Sequence, residues 1–276
     1  MGIIIETVKT ECFSMDFFRF GDGEKKLVIL PGLSVQSVMG AADAIAGAYQ
    51  SLADRFTIYV FDRRADLLEA YSVHDMARDT AEAFQTLGLG DVCLFGASQG
   101  GMIALVLAIE HPALVGRMVL GSSSAHVREE QYRVIEEWVR LTKAGDREGL
   151  YLSFGREIYP PAAFKQYREA LLAAAGSVTD RDLARFIILA EGTKGFNVVS
   201  ELDRIRCPVL AIGVFEDSVL DSDATMEIAE KLDCRPNFRL YLYTGYGHAA
   251  FDTAPDYRQR ILAFFEQQSG EMRSEP

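Results

Sequence analysis

Residues Val92-Cys93-Leu94-Phe95-Gly96-Ala97-Ser98-Gln99-Gly100-Gly101 combine an apolar run, a serine between small residues and the start of an apolar helix. The run 92–95 is typical of a buried strand, and residues 102–109 are apolar all round, as in a buried helix. A sharp turn between them lifts the serine above the sheet, and only small residues fit two positions before and after it. The G-x-S-x-G spacing therefore predicts Ser98 as a nucleophile.

The composition is that of a folded protein with little affinity for anionic partners. The chain has 276 residues, 49% of them hydrophobic, which is enough for one substantial core with an inserted subdomain. Its net charge of -12 has the wrong sign for binding nucleic acid or an anionic membrane. The first residues have neither a basic region nor a long apolar stretch. We therefore predict no signal peptide, no transmembrane helix and a cytoplasmic location.

The cysteines indicate neither disulfides nor a metal site. The four of them are scattered and lack C-x-x-C spacing: Cys12, Cys93, Cys207 and Cys234. Such a pattern is typical of buried free thiols in a cytosolic protein. We expect no metal at this protein's functional site.

Short apolar runs alternate with helical patterns along most of the chain. Residues 3–20 carry two extended runs that predict a β-hairpin. Further predicted strands lie at 27–30, 57–61, 92–95, 118–120, 208–213 and 238–243. Because strands and helices alternate at short intervals, right-handed βαβ units and a parallel sheet are predicted.

This alternation stops between residues 126 and 202. Amphipathic helical patterns fill the segment, and no convincing strand interrupts them. We therefore predict an α/β core made of residues 1–125 and 203–276, with a helical cap inserted at residues 126–202.

Ser98 needs a base, because a serine hydroxyl alone is a poor nucleophile. Among the four histidines, His74 lies in the first turn of a helix, His111 ends a helix and His126 begins the predicted cap. His248 follows the last predicted strand in a loop of small residues, at the edge where open α/β sheets keep their sites. We predict His248 as the base, with His126 as a second choice near the pocket.

An acid is also needed to fix the tautomer of the base. Asp217 follows the strand before the one that leads to His248, so its side chain is expected at the same sheet edge. Glu216, Asp221 and Asp223 are alternatives, although the two aspartates also suit helix capping and Glu216 suits a solvated loop. Asp217 is the predicted acid.

Two backbone N–H groups are candidates for an oxyanion hole. Gln99 follows the nucleophile at the start of a helix, and Leu33 lies in the turn after an earlier strand. Gly32 in that turn lets the backbone come close to a reacting carbonyl.

These features resemble the α/β-hydrolase fold family, in its capped, single-domain form, from about residue 3 to residue 268. The motifs that carry the resemblance are Gly96 to Gly101, Pro31-Gly32, the strand end Asp62-Arg63-Arg64, the run Cys207 to Gly213 leading to Asp217, and Gly247-His248. The chain order Ser98, Asp217, His248 is the order expected in that family. The resemblance implies a mostly parallel eight-stranded sheet flanked by helices, with a helical cap.

The resemblance also implies a serine hydrolase that cleaves a small carboxylic ester, lactone or thioester through an acyl-enzyme, without a cofactor. Members often carry His-Gly where this chain has Pro31-Gly32, so a side-chain contact that supports the turn is absent. A serine nucleophile argues against haloalkane dehalogenases and epoxide hydrolases, which attack through a carboxylate. The alternatives are an acyltransferase or a carbon-carbon bond hydrolase on the same residues, and a non-catalytic small-molecule receptor.

The sequence says least about the substrate. Trp138, Phe154 and Phe186 are candidates for an apolar pocket, although aromatic residues at such spacing also serve as core packing. Arg63 and Arg64 suit either steering of an acidic substrate or pairing with surface carboxylates. The expected partner is a small-molecule substrate, without nucleic acid or membrane, and a homodimer is left open.

Overall fold

The computed structural model describes residues 2–267, so Met1 and residues 268–276, the end of the second predicted core segment, lie outside it. Within this range eight strands form one sheet. They are β1 Ile5–Lys9, β2 Ser14–Phe20, β3 Lys25–Leu30, β4 Phe56–Arg64, β5 Val92–Ala97, β6 Val115–Gly121, β7 Val209–Val214 and β8 Phe238–Tyr243. Their order across the sheet is β1-β2-β4-β3-β5-β6-β7-β8.

The first two strands are antiparallel and the others run parallel. β1 and β2 form the predicted hairpin, and β2 pairs antiparallel with β4. From β4 through β3 to β8, every neighbouring pair is parallel. The mostly parallel eight-stranded sheet flanked by helices is thus confirmed, and the carboxyl ends of β3 to β8 meet at one edge.

The helices of the described chain are α1 Ala42–Ala48, α2 Val73–Thr86, α3 Gln99–Glu110, α4 Glu129–Lys143, α5 Arg147–Ile158, α6 Pro161–Ser177, α7 Asp180–Glu191, α8 Asp221–Leu232, α9 Ala250–Thr253 and α10 Tyr257–Glu266. Short 3-10 turns lie at Val38–Ala41, Gln50–Leu52, Pro112–Leu114 and Val199–Arg204. Within residues 2–267, no helix combines the length and the apolar character needed to cross a lipid bilayer.

The sheet is buried on both faces because successive residues of its strands point to opposite sides. In β3, Val28 and Leu30 belong to a core shared with α2, α3 and α8, whereas Leu27 and Ile29 belong to a core shared with α1 and α10. This explains why the central strands are continuous apolar runs in the sequence.

The segment 126–202 contributes α4 to α7 between β6 and β7. In the described chain its β pairing consists of one isolated bridge, between His126 and Asn197. Apolar residues of the insert, including Trp138 and Phe186, join the same core as α2 and α3. We interpret the insert as a cap that shares its hydrophobic core with the sheet.

Close backbone packing dictates the glycines around Ser98. A Cβ atom added at Gly96 would overlap the backbone of Gly100. A Cβ at Gly100 would overlap the carbonyl of Leu30 at the end of β3. The turn from β5 into α3 can therefore pass this close to the neighbouring strand only without these side chains.

We expect Gly100→Ala to destabilise the protein by more than about 3 kcal/mol, because core overlap forces backbone shifts. Gly176→Ala is the matched control, since no atom lies within 4 Å of the added Cβ in α6. It should stabilise the protein by roughly 0.5 to 1 kcal/mol through helix propensity. Urea unfolding of both variants measures the difference, and equal midpoints would contradict the packing argument.

Candidate active site

Ser98 lies at the turn between β5 and α3 in a strained backbone conformation. Its φ of 50° and ψ of -119° are unfavourable for a residue with a side chain. The backbone is held by the Ser98 N–H, which donates to the Gly121 carbonyl at 2.8 Å, and by the Ser123 hydroxyl, which donates to the Ser98 carbonyl at 2.8 Å. The Ser98 side chain makes no capping hydrogen bond to α3, so its hydroxyl is free for another partner.

That partner is His248, whose Nε2 lies 2.9 Å from the Ser98 Oγ. His248 is in the loop between β8 and α9, and only 4% of its surface is exposed. The Ala249 N–H, next in the chain, donates to the Ile158 carbonyl at the end of α5 at 2.9 Å. The insert therefore fixes the loop that carries the imidazole.

Asp217, in the loop after β7, completes a hydrogen-bonded chain. Its carboxylate oxygens lie 2.8 and 2.9 Å from His248 Nδ1. Its Oδ1 also accepts from the N–H groups of Val219 and Leu220, at 2.8 and 3.0 Å. Because an ionised carboxylate only accepts hydrogen bonds, Nδ1 carries the hydrogen and Nε2 is left to accept from the Ser98 hydroxyl.

The alternative acids have other contacts. Glu216 accepts from the Gly245 N–H at 2.7 Å. Asp221 accepts from the Ala224 N–H at 3.2 Å, within the first turn of α8. Asp223 is exposed on the same turn. Of these carboxylates and Asp217, only Asp217 contacts the His248 imidazole in the described chain.

The other histidines lie away from Ser98 or point to different partners. His74 Nδ1 is 3.2 Å from a Glu110 carboxylate oxygen at the surface. His111 ends α3. The His126 backbone donates to the Ser124 hydroxyl and forms the bridge to Asn197. The structure thus brings His248, and not the second choice His126, to the Ser98 hydroxyl.

Both predicted oxyanion donors lie beside Ser98. Gln99 is the first residue of α3, so its N–H has no acceptor within the helix. A Cβ added at Gly32 would be 3.2 Å from the Ser98 Cβ and 3.8 Å from its Oγ. The turn that contains Leu33 therefore passes directly against the serine, and Leu33 lines the same cavity.

Arg63 forms hydrogen bonds in both segments that carry these N–H groups, contacts that the sequence did not reveal. It is buried at the end of β4, and its Nη2 donates to the Pro31 carbonyl at 2.7 Å and to the Gln99 Oε1 at 3.3 Å. The Gln99 Nε2 donates in turn to the Leu189 carbonyl of α7 at 2.7 Å. Burial lowers the pKa of Arg63 to about 10, which still leaves it charged at neutral pH.

The two arginines singled out in the sequence are thus not cavity residues. Arg64 is 3.4 Å from the Asp79 carboxylate and donates to the Asp66 carbonyl at 2.7 Å. Asp62, beside Arg63, pairs with Arg185 of α7 and accepts from the Ser37 hydroxyl at 2.5 Å. The strand end 62–64 therefore joins the insert to the core; of the two roles that the sequence left open, pairing with carboxylates fits Arg64, and neither arginine lines the cavity for substrate steering.

A cavity of about 310 Å³ opens beside Ser98 and His248. Apolar and aromatic side chains form most of its wall. The α/β core contributes Ile29, Leu33, Val38, Ile45, Tyr49, Val60, Phe95, Met102, Phe251 and Asp252 to the lining. The insert contributes Ile135, Trp138, Phe154, Ile158, Tyr159 and Thr193. Such a wall suits a small, largely apolar ligand.

Two of the three predicted pocket aromatics line this cavity. The Trp138 and Phe154 rings lie 4.4 Å apart, measured between their centroids. The structure corrects the expectation for Phe186: it is fully buried and packs edge-on behind Phe154, at 6.4 Å. Phe186 is a core residue because α7 turns it toward α5 and away from the open space.

No grouping of three or more His, Cys, Asp or Glu side chains within residues 2–267 could hold a metal ion. The four cysteines are free thiols. Burial raises the pKa of Cys93 to about 11 and that of Cys207 to about 12, so neither is a thiolate at neutral pH.

The known proteins that this chain resembles are hydrolases. A family profile described as alpha/beta hydrolase fold matches residues 27–255. The chain is 23% identical over 244 residues to "Putative carbamate hydrolase RutD" of Agrobacterium fabrum, across 85% of this chain and 92% of that protein. It is similar to the solved structure of MGS-M2, an alpha/beta hydrolase enzyme from a Medee basin deep-sea metagenome library, with a TM-score of 0.84, 20% identity and coverage of 96% of this chain and 98% of that one. The enol-lactonase of Burkholderia xenovorans gives a TM-score of 0.81 at 14% identity, covering 95% of this chain and 100% of the lactonase.

The contacts of Arg63 predict a role in positioning the two N–H groups. Arg63→Met should lower kcat for p-nitrophenyl butanoate about tenfold while KM changes less, because a hydrogen bond from a charged donor contributes about 1.5 kcal/mol. Arg64→Met is the matched control, since Arg64 contacts neither Pro31 nor Gln99. Equal kcat values for the two variants would contradict this role.

Proposed function

The chain belongs to the α/β-hydrolase fold family, and we propose that it is a serine hydrolase that cleaves a small carboxylic ester, lactone or thioester. The observation that carries the proposal is the hydrogen-bonded chain from the Ser98 hydroxyl through His248 to the Asp217 carboxylate. This arrangement is the one that activates a serine for attack on a carbonyl.

In the first step, the Ser98 Oγ attacks the substrate carbonyl while His248 Nε2 accepts the hydroxyl proton. The carbonyl oxygen gains negative charge, and the N–H groups of Leu33 and Gln99 stabilise it. Asp217 holds the imidazole in the required tautomer and stabilises the imidazolium as it forms. Collapse of the intermediate breaks the bond to the leaving group, which takes the proton from His248, and leaves an acyl group on Ser98.

In the second step, water attacks the acyl-enzyme. His248 accepts a proton from this water and returns one to the Ser98 oxygen as the acid leaves. The nearly complete burial of His248 and Asp217 supports both steps, because electrostatic interactions are stronger where water is excluded.

The cavity suits a substrate whose acyl or alcohol portion is small. Its wall near Ser98 combines Trp138 and Phe154 from the insert with Ile29 and Phe95 from the sheet. A substrate with one reacting carbonyl and a compact apolar body fits this chemistry. The name of the Agrobacterium fabrum relative adds carbamates to the esters worth testing, because a carbamate carbonyl would react through the same steps.

Substitution of the three reacting residues tests the proposal directly. Ser98→Ala and His248→Ala should each lower kcat for p-nitrophenyl butanoate by at least about a thousandfold, and Asp217→Asn by a similar factor. Asp223→Asn, an exposed change on α8, is the matched control and should retain activity. Thermal unfolding would check that the variants are folded. Full activity of Ser98→Ala would refute the proposed nucleophile.

A fluorophosphonate probe tests the covalent step without a chosen substrate. The Ser98 oxygen should displace fluoride from the probe, and mass spectrometry should find the adduct on the peptide that contains Ser98. Ser98→Ala should not be labelled. Absence of labelling in the parent protein would favour the non-catalytic receptor, whereas ester formation with an added alcohol would favour an acyltransferase.

A further inference from the structure

Asp252 is an acidic residue in the wall of the cavity that the proposed reaction does not use. It lies in α9, four residues after His248, on the segment that carries the imidazole. The adjoining Phe251 ring packs edge-on against the His248 ring, at 6.4 Å between centroids. Asp252 therefore lines the same cavity as Ser98 and His248.

This carboxylate has no partner among the described residues. No side-chain or backbone donor within residues 2–267 forms a hydrogen bond or ion pair with it; its own N–H donates to the Ala249 carbonyl. The other negatively charged groups near the site are satisfied: Asp217 by three donors and Glu216 by a backbone N–H. Asp252 is exposed to the cavity, so water solvates its carboxylate in the free protein, and within residues 2–267 it is the one carboxylate that lines this mostly apolar cavity.

Aromatic rings line the same cavity as Asp252. Tyr49, Tyr159 and Phe251 all line the cavity. Burial, and after it the negative charge of Asp252, raises the pKa of the Tyr49 and Tyr159 phenols, which are neutral at ordinary pH. A carboxylate among aromatic rings is a favourable setting for an ammonium group, through charge attraction and cation-π contact.

One cation approaches this cluster from outside the cavity wall. The Arg258 guanidinium carbon lies over the Tyr49 ring, 5.2 Å from its centroid. Arg258 lowers the pKa of the Asp252 carboxyl, but desolvation by the surrounding cavity wall has the larger effect and raises it to about 6. The carboxyl is therefore mostly ionised at neutral pH, and Arg258 forms no ion pair with Asp252.

We propose that Asp252, with the rings of Tyr49 and Tyr159, binds a cationic nitrogen of the substrate, so that the natural ester carries an ammonium group. This inference rests on the proposed serine hydrolase function and names the substrate class for the same cavity. The net charge of -12 favours approach of such a cation over an acidic substrate. Asp252 acts as a specificity-determining residue.

Two isosteric pairs of esters test the proposal. The first pair, the p-nitrophenyl ester of β-alanine and p-nitrophenyl butanoate, places an ammonium or a methyl group on the acyl side. The second, choline butanoate and neohexyl butanoate, places the charge on the alcohol side. We expect kcat/KM to favour the cation in at least one pair, and Asp252→Asn to lower that preference about tenfold or more.

Asp256→Asn is the matched control. Asp256 accepts from the Tyr243 hydroxyl at 2.8 Å and pairs with Arg260, outside the cavity. The Asp256→Asn variant should leave the ratio of kcat/KM for the cationic ester to that for the neutral ester unchanged. If both members of each pair are hydrolysed without preference for the cation, or if the preference survives in Asp252→Asn, the ammonium proposal is wrong while the hydrolase proposal stands.

The pH dependence of the ratio of kcat/KM values for the cationic and the neutral ester distinguishes recognition by charge from recognition by shape. Tyr49, Tyr159, Tyr257 and Arg258 interact electrostatically with Asp252, and burial raises the pKa of the three phenols, which stay neutral near pH 7. Because choline is a permanent cation and both esters of a pair react through the same residues, the preference should fall as pH drops through about 6, where Asp252 gains a proton. A flat ratio would contradict recognition by the carboxylate.

Binding to Ser98→Ala protein provides a readout that does not need turnover. Calorimetry should show choline butanoate binding more tightly than neohexyl butanoate, or the β-alanine ester more tightly than the butanoate. The double variant Ser98→Ala, Asp252→Asn should lose this difference. Binding without preference would overturn the ammonium proposal, and selective binding without turnover in the parent would count against the hydrolase proposal alone.

Discussion

The close approach of the turn at Ser98 to the end of β3 is the constraint on which the site depends. Ser98 is held at a positive φ, and Gly100 lets α3 start against the Leu30 carbonyl. The same packing brings the turn at Gly32 within van der Waals distance of Ser98. The strain at one residue is therefore balanced by packing and backbone hydrogen bonds from β3 and β6, and together they aim the hydroxyl at His248.

Features that depend on local pattern could be read from the sequence. The strands buried on both faces are continuous apolar runs, and parallel strands place the residues after β3, β5, β7 and β8 at one edge. This reasoning brought Ser98, Asp217 and His248 together and placed Leu33 beside them. It did not exclude Glu216 and Asp221 as the acid beside His248. The direction of a side chain in a loop depends on hydrogen bonds, such as the one from the Gly245 N–H to Glu216, and these cannot be predicted from a sequence pattern.

Features that depend on contacts between distant segments could not be read in this way. The hydrogen bond from Arg63 to the Pro31 carbonyl joins two strand ends, and Phe186 of α7 is buried behind Phe154 of α5. Asp252 was overlooked although it follows His248 by four residues, a spacing that would have placed both on one side of a helical turn. Its importance comes from its place in the wall of a mostly apolar cavity, which only the surrounding structure makes visible.

The insert contacts the segments that carry Ser98 and His248 through two of its main-chain carbonyls. The Ile158 carbonyl accepts from the His248 loop, and the Leu189 carbonyl accepts from the Gln99 side chain. A backbone carbonyl is present whatever side chain the residue carries. Mutations in the insert can thus change the shape and polarity of the cavity while these two anchors persist. Side chains of the insert can therefore be varied to alter substrate preference without removing these hydrogen bonds, which makes the insert a suitable target for directed evolution.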